Sequence, residues 1–159
     1  MAQVTRENIE KALKKIDSLD ESALDKLIET YTLQQQPLVD YILQAGMEFS
    51  NEDLNVFSIY YFAIISEAFF QQGITLKPIT EDVIEEFQEP YLLALDAIRS
   101  DEDYEPMQDL IQQHHLQQFM LEEIESPDSD GVILDEELQT QLYIVTTSMI
   151  GLMHGATAN

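Results

Sequence analysis

Apolar residues recur at helical spacing along almost the whole chain, and only five glycines interrupt them. Thr5 is placed to cap a first helix whose Ile9, Leu13 and Ile16 share a face. Asp20 is placed to cap a second, with Leu24, Leu27, Ile28 and Tyr31 on its stripe. Pro37 suits the first turn of a third helix, where its missing N–H costs nothing, and Leu38, Ile42 and Met47 would line its buried side. Ser50, followed by Asn51, Glu52 and Asp53, starts a fourth helix with acids at its positive end. The body of that helix, LNVFSIYYFAIISEAFF, is apolar on nearly every side. A helix of this kind belongs in the middle of a fold, so residues 51–72 are the expected central element, closed by Gly73.

Thr80 opens a fifth helix through Val83, Ile84 and Phe87. Pro90 predicts a kink or a split there, because it removes a helical hydrogen bond and clashes with the previous turn. Tyr91, Leu92, Leu95 and Ile98 continue the stripe beyond it. The acidic segment SDEDYEP, 100–106, reads as a loop or helix start. Met107, Leu110, Ile111, His114, Leu121 and Ile124 predict a seventh helix, and Leu138, Leu142, Val145, Met149 and Leu152 an eighth. GITLKPI, 73–79, contains Lys77 and Pro78 and reads as a connector, not a strand. The tail HGATAN is expected to fray.

The expected fold is therefore all-α: one domain over 1–159, an irregular bundle of about seven or eight helices around the 51–72 helix. Stacked helix pairs are the alternative, since Pro37 and Pro90 each open an apolar helix followed by an acidic turn. Hydrophobic residues make up 45% of the chain, enough for a domain core, so global disorder is excluded despite the charge. The apolar run 54–70 is broken by Asn55, Ser58, Ser66 and Glu67, and the run 142–153 falls short of the roughly 20 residues a membrane crossing needs. The start, MAQVTRENIEKALKK, lacks the apolar segment of a secretory leader, so a soluble, cytoplasmic protein is expected.

Charge changes the picture most. Thirty-one acids against seven bases give −24. Residues 1–36 hold five of the bases, Arg6, Lys11, Lys14, Lys15 and Lys26, against seven acids. Residues 37–159 hold only Lys77 and Arg99 against 24 acids. Such a field repels nucleic-acid phosphates and anionic membrane faces, and attracts basic partners or cations. The alternative is that the acids serve only to keep the protein in solution. The absence of cysteine excludes disulfides and thiolate metal sites.

One stretch has the composition of a cation loop. SPDSDGVILDEE, 126–137, resembles the calcium loop of the EF-hand family over these twelve residues. Gly131 takes the sixth position, where a sharp turn is required, with Asp128 and Asp130 at the third and fifth. Ile133 falls at the apolar eighth position, and Glu137 at the bidentate twelfth. Ser126, Pro127 and Leu134 depart from the family at the first, second and ninth positions. The resemblance thus implies Asp128, Asp130 and Glu137 as ligands of a weak calcium site, on the order of millimolar. The plain alternative is a connector: Asp135, Glu136 and Glu137 offset a helix dipole, and Asp128, Ser129 and Gly131 form a turn.

Other chemistry is scarce. His114 and His115 are adjacent, about 100° apart on a helix, and neither forms a Glu-x-x-His or i, i+4 metal pair. His114 falls on the apolar stripe and is expected in the core, His115 outside. No nucleophile elbow, dinucleotide loop or P-loop occurs. Tyr60, Tyr61 and Phe62 read as core, and the glutamines of 34–36 and of QQHHLQQ, 112–118, as solvent faces, with a face laid against another protein as the alternative.

The sequence thus predicts a non-catalytic interaction protein binding a basic partner through its acidic surface. An immunity-like or antitoxin-like inhibitor, or a charge mimic, would take this form. The expected contact residues are Glu81, Asp82, Glu85, Glu86 and Glu89 together with Asp101, Glu102, Asp103 and Glu105. A helical small-molecule binder, with a pocket beside the central helix, is the second alternative after the cation loop.

Overall fold

The structure is a computed structural model that describes residues 3–128 and 130–157. α1 (Arg6–Ser18) starts where the Thr5 hydroxyl accepts the Asn8 N–H, and buries Ile9, Ala12 and Ile16 against the fourth helix. α2 (Glu21–Gln34) is capped by Asp20, whose carboxylate accepts the Ala23 N–H at 2.7 Å. None of its side chains is fully buried; Leu24, Leu27, Ile28 and Tyr31 only lean on the core. α3 (Gln36–Glu48) carries Pro37 in its first turn and buries Leu38, Val39 and Ile42. Met47, expected inside, is 77% exposed. The buried stripe ends with Ile42 and Gly46, and Met47 lies one position further round the helix.

α4 (Glu52–Gln71) is capped by Asn51 and not by Ser50, which sits in the turn before it at φ +53°. Residues 61–69 are buried without a gap. The helix is long and apolar enough to cross a membrane by length and composition, but its neighbours are α1, α2, α3 and the last helix. It ends in a Schellman motif: Gly73, at φ +76°, donates to the Phe70 carbonyl and Ile74 to that of Phe69.

α5 (Glu81–Asp101) runs unsplit through Pro90. Pro90 lies on the exposed side, as does Glu86, whose carbonyl loses its helical donor, so solvent can satisfy what the proline removes. Pro37 and Pro90 therefore occupy different helical positions, one in a first turn and one inside a helix, so the parallel drawn between them does not hold.

The expected single helix over 107–124 is instead two, α6 (Glu105–Ile111) and α7 (His114–Glu125). The chain breaks at Gln112, with φ +59°, and turns Gln113 fully inward. Gln113 there accepts the Val4 N–H at 2.9 Å and meets His154, interactions an unbroken helix would not place in the core. The break resets the register. Leu116, Phe119, Met120 and Ile124 face inward, while His114 is exposed, against expectation.

α8 (Glu136–Gly155) is a second central helix: residues 145–154 are all buried, and it packs on α3, α4, α5, α6 and α7. Its buried hydroxyls bond within the helix, Thr146 to the Leu142 carbonyl and Ser148 to that of Val145, each at 2.7 Å. Gly151 lets it approach α5 and α6 closely; an added Cβ would lie 2.6 Å from Ile111 and 2.8 Å from Phe87. The tail does not fray as expected. Ala156 is buried and its carbonyl accepts the Lys77 N–H at 2.7 Å, beside the Leu76–Thr157 bridge; residues 158–159 lie outside the described residues.

The connector 73–80 is held by Gln35, whose amide donates to the Lys77 carbonyl at 2.9 Å and accepts the Ile79 N–H at 2.8 Å. Gln35 is buried, not part of a solvent face. The described residues form an all-α bundle of eight helices, wrapped around α4 and α8 together.

Candidate functional site

The nine acids expected to contact a partner are all exposed. Glu81, Asp82, Glu85, Glu86 and Glu89 share the outer face of α5, because Ile84 and Tyr91 turn the opposite face to the core. Asp101, Glu102, Asp103 and Glu105 cluster at the corner between α5 and α6, where Glu102 takes φ +54° to end the helix. The two groups sit at opposite ends of one helix, roughly 24 Å apart between Glu85 and Asp101 at 1.5 Å per residue. Among the described residues, no ion pair reaches any of the nine.

Two bases of α1 pair with acids of other helices. Arg6 pairs with Glu122 and lies 5.8 Å from the centre of the Phe119 ring. Lys15 reaches Glu67 at 2.8 Å and lies 5.7 Å from the Phe70 ring centre. Glu67 is wholly buried in the middle of α4 and also accepts hydrogen bonds from Tyr31 and Gln71. Burial pushes its pKa up. The hydrogen bonds from Lys15, Tyr31 and Gln71, with the Lys15 charge, pull harder the other way, so it titrates below the usual glutamate range. The same burial, with the Glu67 bond and charge, raises the Tyr31 phenol. Glu67 appeared in the sequence only as an interruption of an apolar run; its buried role depends on partners from α1 and α2.

The stretch 126–137 is organised by its own hydrogen bonds. The Asp128 carboxylate accepts the N–H groups of Asp130 and Val132 at 2.8 and 2.9 Å, and its backbone pairs with Val132 and Gly131. Gly131 takes φ +80°. Glu137 lies in the first turn of α8 and accepts from Gln141 at 3.4 Å. Ser129 lies outside the described residues. Among the described residues, no three acidic or imidazole side chains converge to hold a metal ion.

His114 and His115 are exposed, and the buried imidazole is His154, 6% accessible, with Nδ1 3.0 Å from the Gln113 amide nitrogen. Burial depresses its pKa below the ordinary value. Of the aromatic run on α4, Phe62 and Tyr61 are core, and the Tyr61 phenol is pushed up to about 12 by burial and by the Glu123 charge. Tyr60 is half-buried and donates to Asp17 at 2.9 Å.

One cleft of about 720 Å³ opens between the C-terminal end of α5, α6, α7 and the start of α8. Met107 and Ile124 form its buried floor, and Tyr104 and Leu121 its exposed lips. Gln108, Gln117, Gln118 and Gln139 bring amides to the walls, and Glu125 is the only carboxylate among the lining residues. It lies away from the central α4 helix, where a pocket was expected. Of the run QQHHLQQ, His114, Gln117 and Gln118 line the cleft. No protein-family model, curated protein or solved structure matches the chain.

Proposed function

We propose that this is a non-catalytic, cytoplasmic binding protein that engages a basic protein partner through its acidic surface, in the manner of an immunity-like or antitoxin-like inhibitor or a charge mimic. One observation carries the reading: five carboxylates stand on one exposed face of α5 and, among the described residues, no base lies within ion-pair distance of them. Unpaired like charges on a rigid helix repel each other until a cation covers them, so a basic surface gains more there than elsewhere. These acids are not among the residues that line the cleft. A charge field of this kind favours basic polypeptides over nucleic acids and anionic membranes.

The test is retention of defined basic polypeptides on the immobilised protein at low and at moderate salt. Retention at low salt that weakens as the screening length shortens is the expected result. No retention, or retention that ignores salt, contradicts the reading.

A further inference from the structure

We propose that the cleft between α5–α6 and α7–α8 docks an amphipathic segment of the partner, one with a row of apolar side chains flanked by lysine or arginine. This rests on the reading of the acidic surface as a docking face for a basic protein, and adds to it an apolar anchor point.

Three observations converge. The cleft, at about 720 Å³, has the size of a binding site and not of a packing defect. Its floor is apolar, and its lips are two exposed hydrophobic side chains, Tyr104 at 53% and Leu121 at 42% accessibility. On a chain this acidic, a rim of exposed tyrosine and leucine above a buried methionine and isoleucine gives an apolar segment a place to leave water. The amides on the walls can bond a passing backbone without the desolvation cost of charges.

Charge complementarity then selects the occupant. No lysine or arginine lines the cleft, while Tyr104 is flanked in sequence by Asp103 and Glu105, with Asp101 and Glu102 just before them. Glu125 stands in the lining contributed by α7. Acids at the α5–α6 corner and on the α7 wall repel an anion and favour a segment that carries bases beside its apolar row. A helix with leucine-like residues at i, i+3, i+4 and i+7, and bases beside them, uses both floor and rim.

Two labelled synthetic peptides of about fourteen residues, roughly four helical turns, test this by fluorescence anisotropy. One carries lysines with leucines at that spacing; the other has the same lysines with serine in place of leucine. The expected result is that the leucine peptide binds the protein about tenfold more tightly. That preference should vanish in Leu121→Ser and in Thr140→Trp, which fills the cleft from α8, and persist in Val132→Ser, an exposed apolar control outside the cleft. Circular dichroism confirms that each variant is folded, and two independent cleft variants guard against one that is not. If both peptides bind alike with salt dependence, the cleft proposal is overturned and the acidic-surface reading stands. If neither binds, both fail. A leucine preference that survives both cleft variants, or a dimer of the chain that Leu121→Ser dissolves, also overturns it.

Discussion

Gln113 and His154 meet inside the protein, 3.0 Å from amide nitrogen to Nδ1, and through them the N-terminal arm is fastened to the end of the central helix α8. The Gln113 oxygen accepts the Val4 N–H, which leaves its NH2 to donate, so Nδ1 must be the acceptor and the imidazole neutral. Protonation would set donor against donor in a buried site.

The pH dependence follows with a definite sign. Burial lowers the folded-state pKa of His154 below the ordinary 6.5, so the unfolded chain binds the proton first. The contribution is complete above about pH 6.5 and is lost as pH falls toward the folded-state pKa. Thermal melts of the wild type and His154→Gln, compared from about pH 7.5 down to about 5.5, should converge or cross as the wild type loses ground. Parallel curves would show that His154 carries no such linkage.

Lys15 and Glu67 predict an asymmetry between two substitutions. Lys15→Met leaves a wholly buried carboxylate without its cation and should cost about 3 kcal/mol at neutral pH. Glu67→Gln keeps an acceptor for Tyr31 and Gln71 and frees Lys15, already 41% exposed, to reach water, so it should cost only about 1 kcal/mol. In Lys15→Met the loss should shrink as pH falls and the stranded carboxyl takes up a proton. Denaturant unfolding of both variants checks the order. Equal losses would mean that the ion pair is not what holds Glu67.

Glu123 is an acid in the wrong surroundings. Burial, then the charges of Asp17 and Glu122, raise its pKa, and Arg6 only partly opposes them. The ionised form is thus disfavoured in the fold; the penalty grows as pH rises past the unfolded-state pKa and is complete above the raised folded-state one. Glu123→Gln should raise the melting temperature at pH 7 by roughly 2–4 °C, for about 1 kcal/mol, with a smaller gain in acid. An unchanged or lower Tm at neutral pH would contradict this.

The 126–137 turn is expected to give no calcium response, because among the described residues no three acidic side chains converge there. Calorimetric titration with calcium at about millimolar concentration, the range of weak loops, should give no binding heat for wild type or Glu137→Gln. Heat that disappears in Glu137→Gln would support the cation-loop reading instead.

What was legible in the sequence was local. Thr5, Asp20, Thr80 and Asp135 all cap helices through side-chain acceptors close to the residues they serve, and Gly73 closes α4 by its own backbone. What was not legible depends on distant partners. Gln113 leaves its helix for Val4 and His154, more than 40 residues away on either side. Gln35 turns inward because the connector beyond α4 needs its amide. The burial of α8 was masked by Thr146 and Ser148, whose hydroxyls find carbonyls within their own helix. The exposed acids of α5 were readable from the stripe they oppose, but the cleft was not, since four helices each supply only part of it.

The central claim is that the α5 face, and not net charge alone, recruits a basic partner. Binding of a lysine-rich peptide should therefore be compared between two variants with five charges neutralised in each. One replaces Glu81, Asp82, Glu85, Glu86 and Glu89 by their amides; the other does the same at the exposed Glu7, Glu10, Glu21, Asp25 and Glu29. The expected result is a loss of about tenfold or more for the α5 variant and little change for the other, at one fixed salt concentration. Equal losses in the two would contradict it, leaving only a diffuse negative charge.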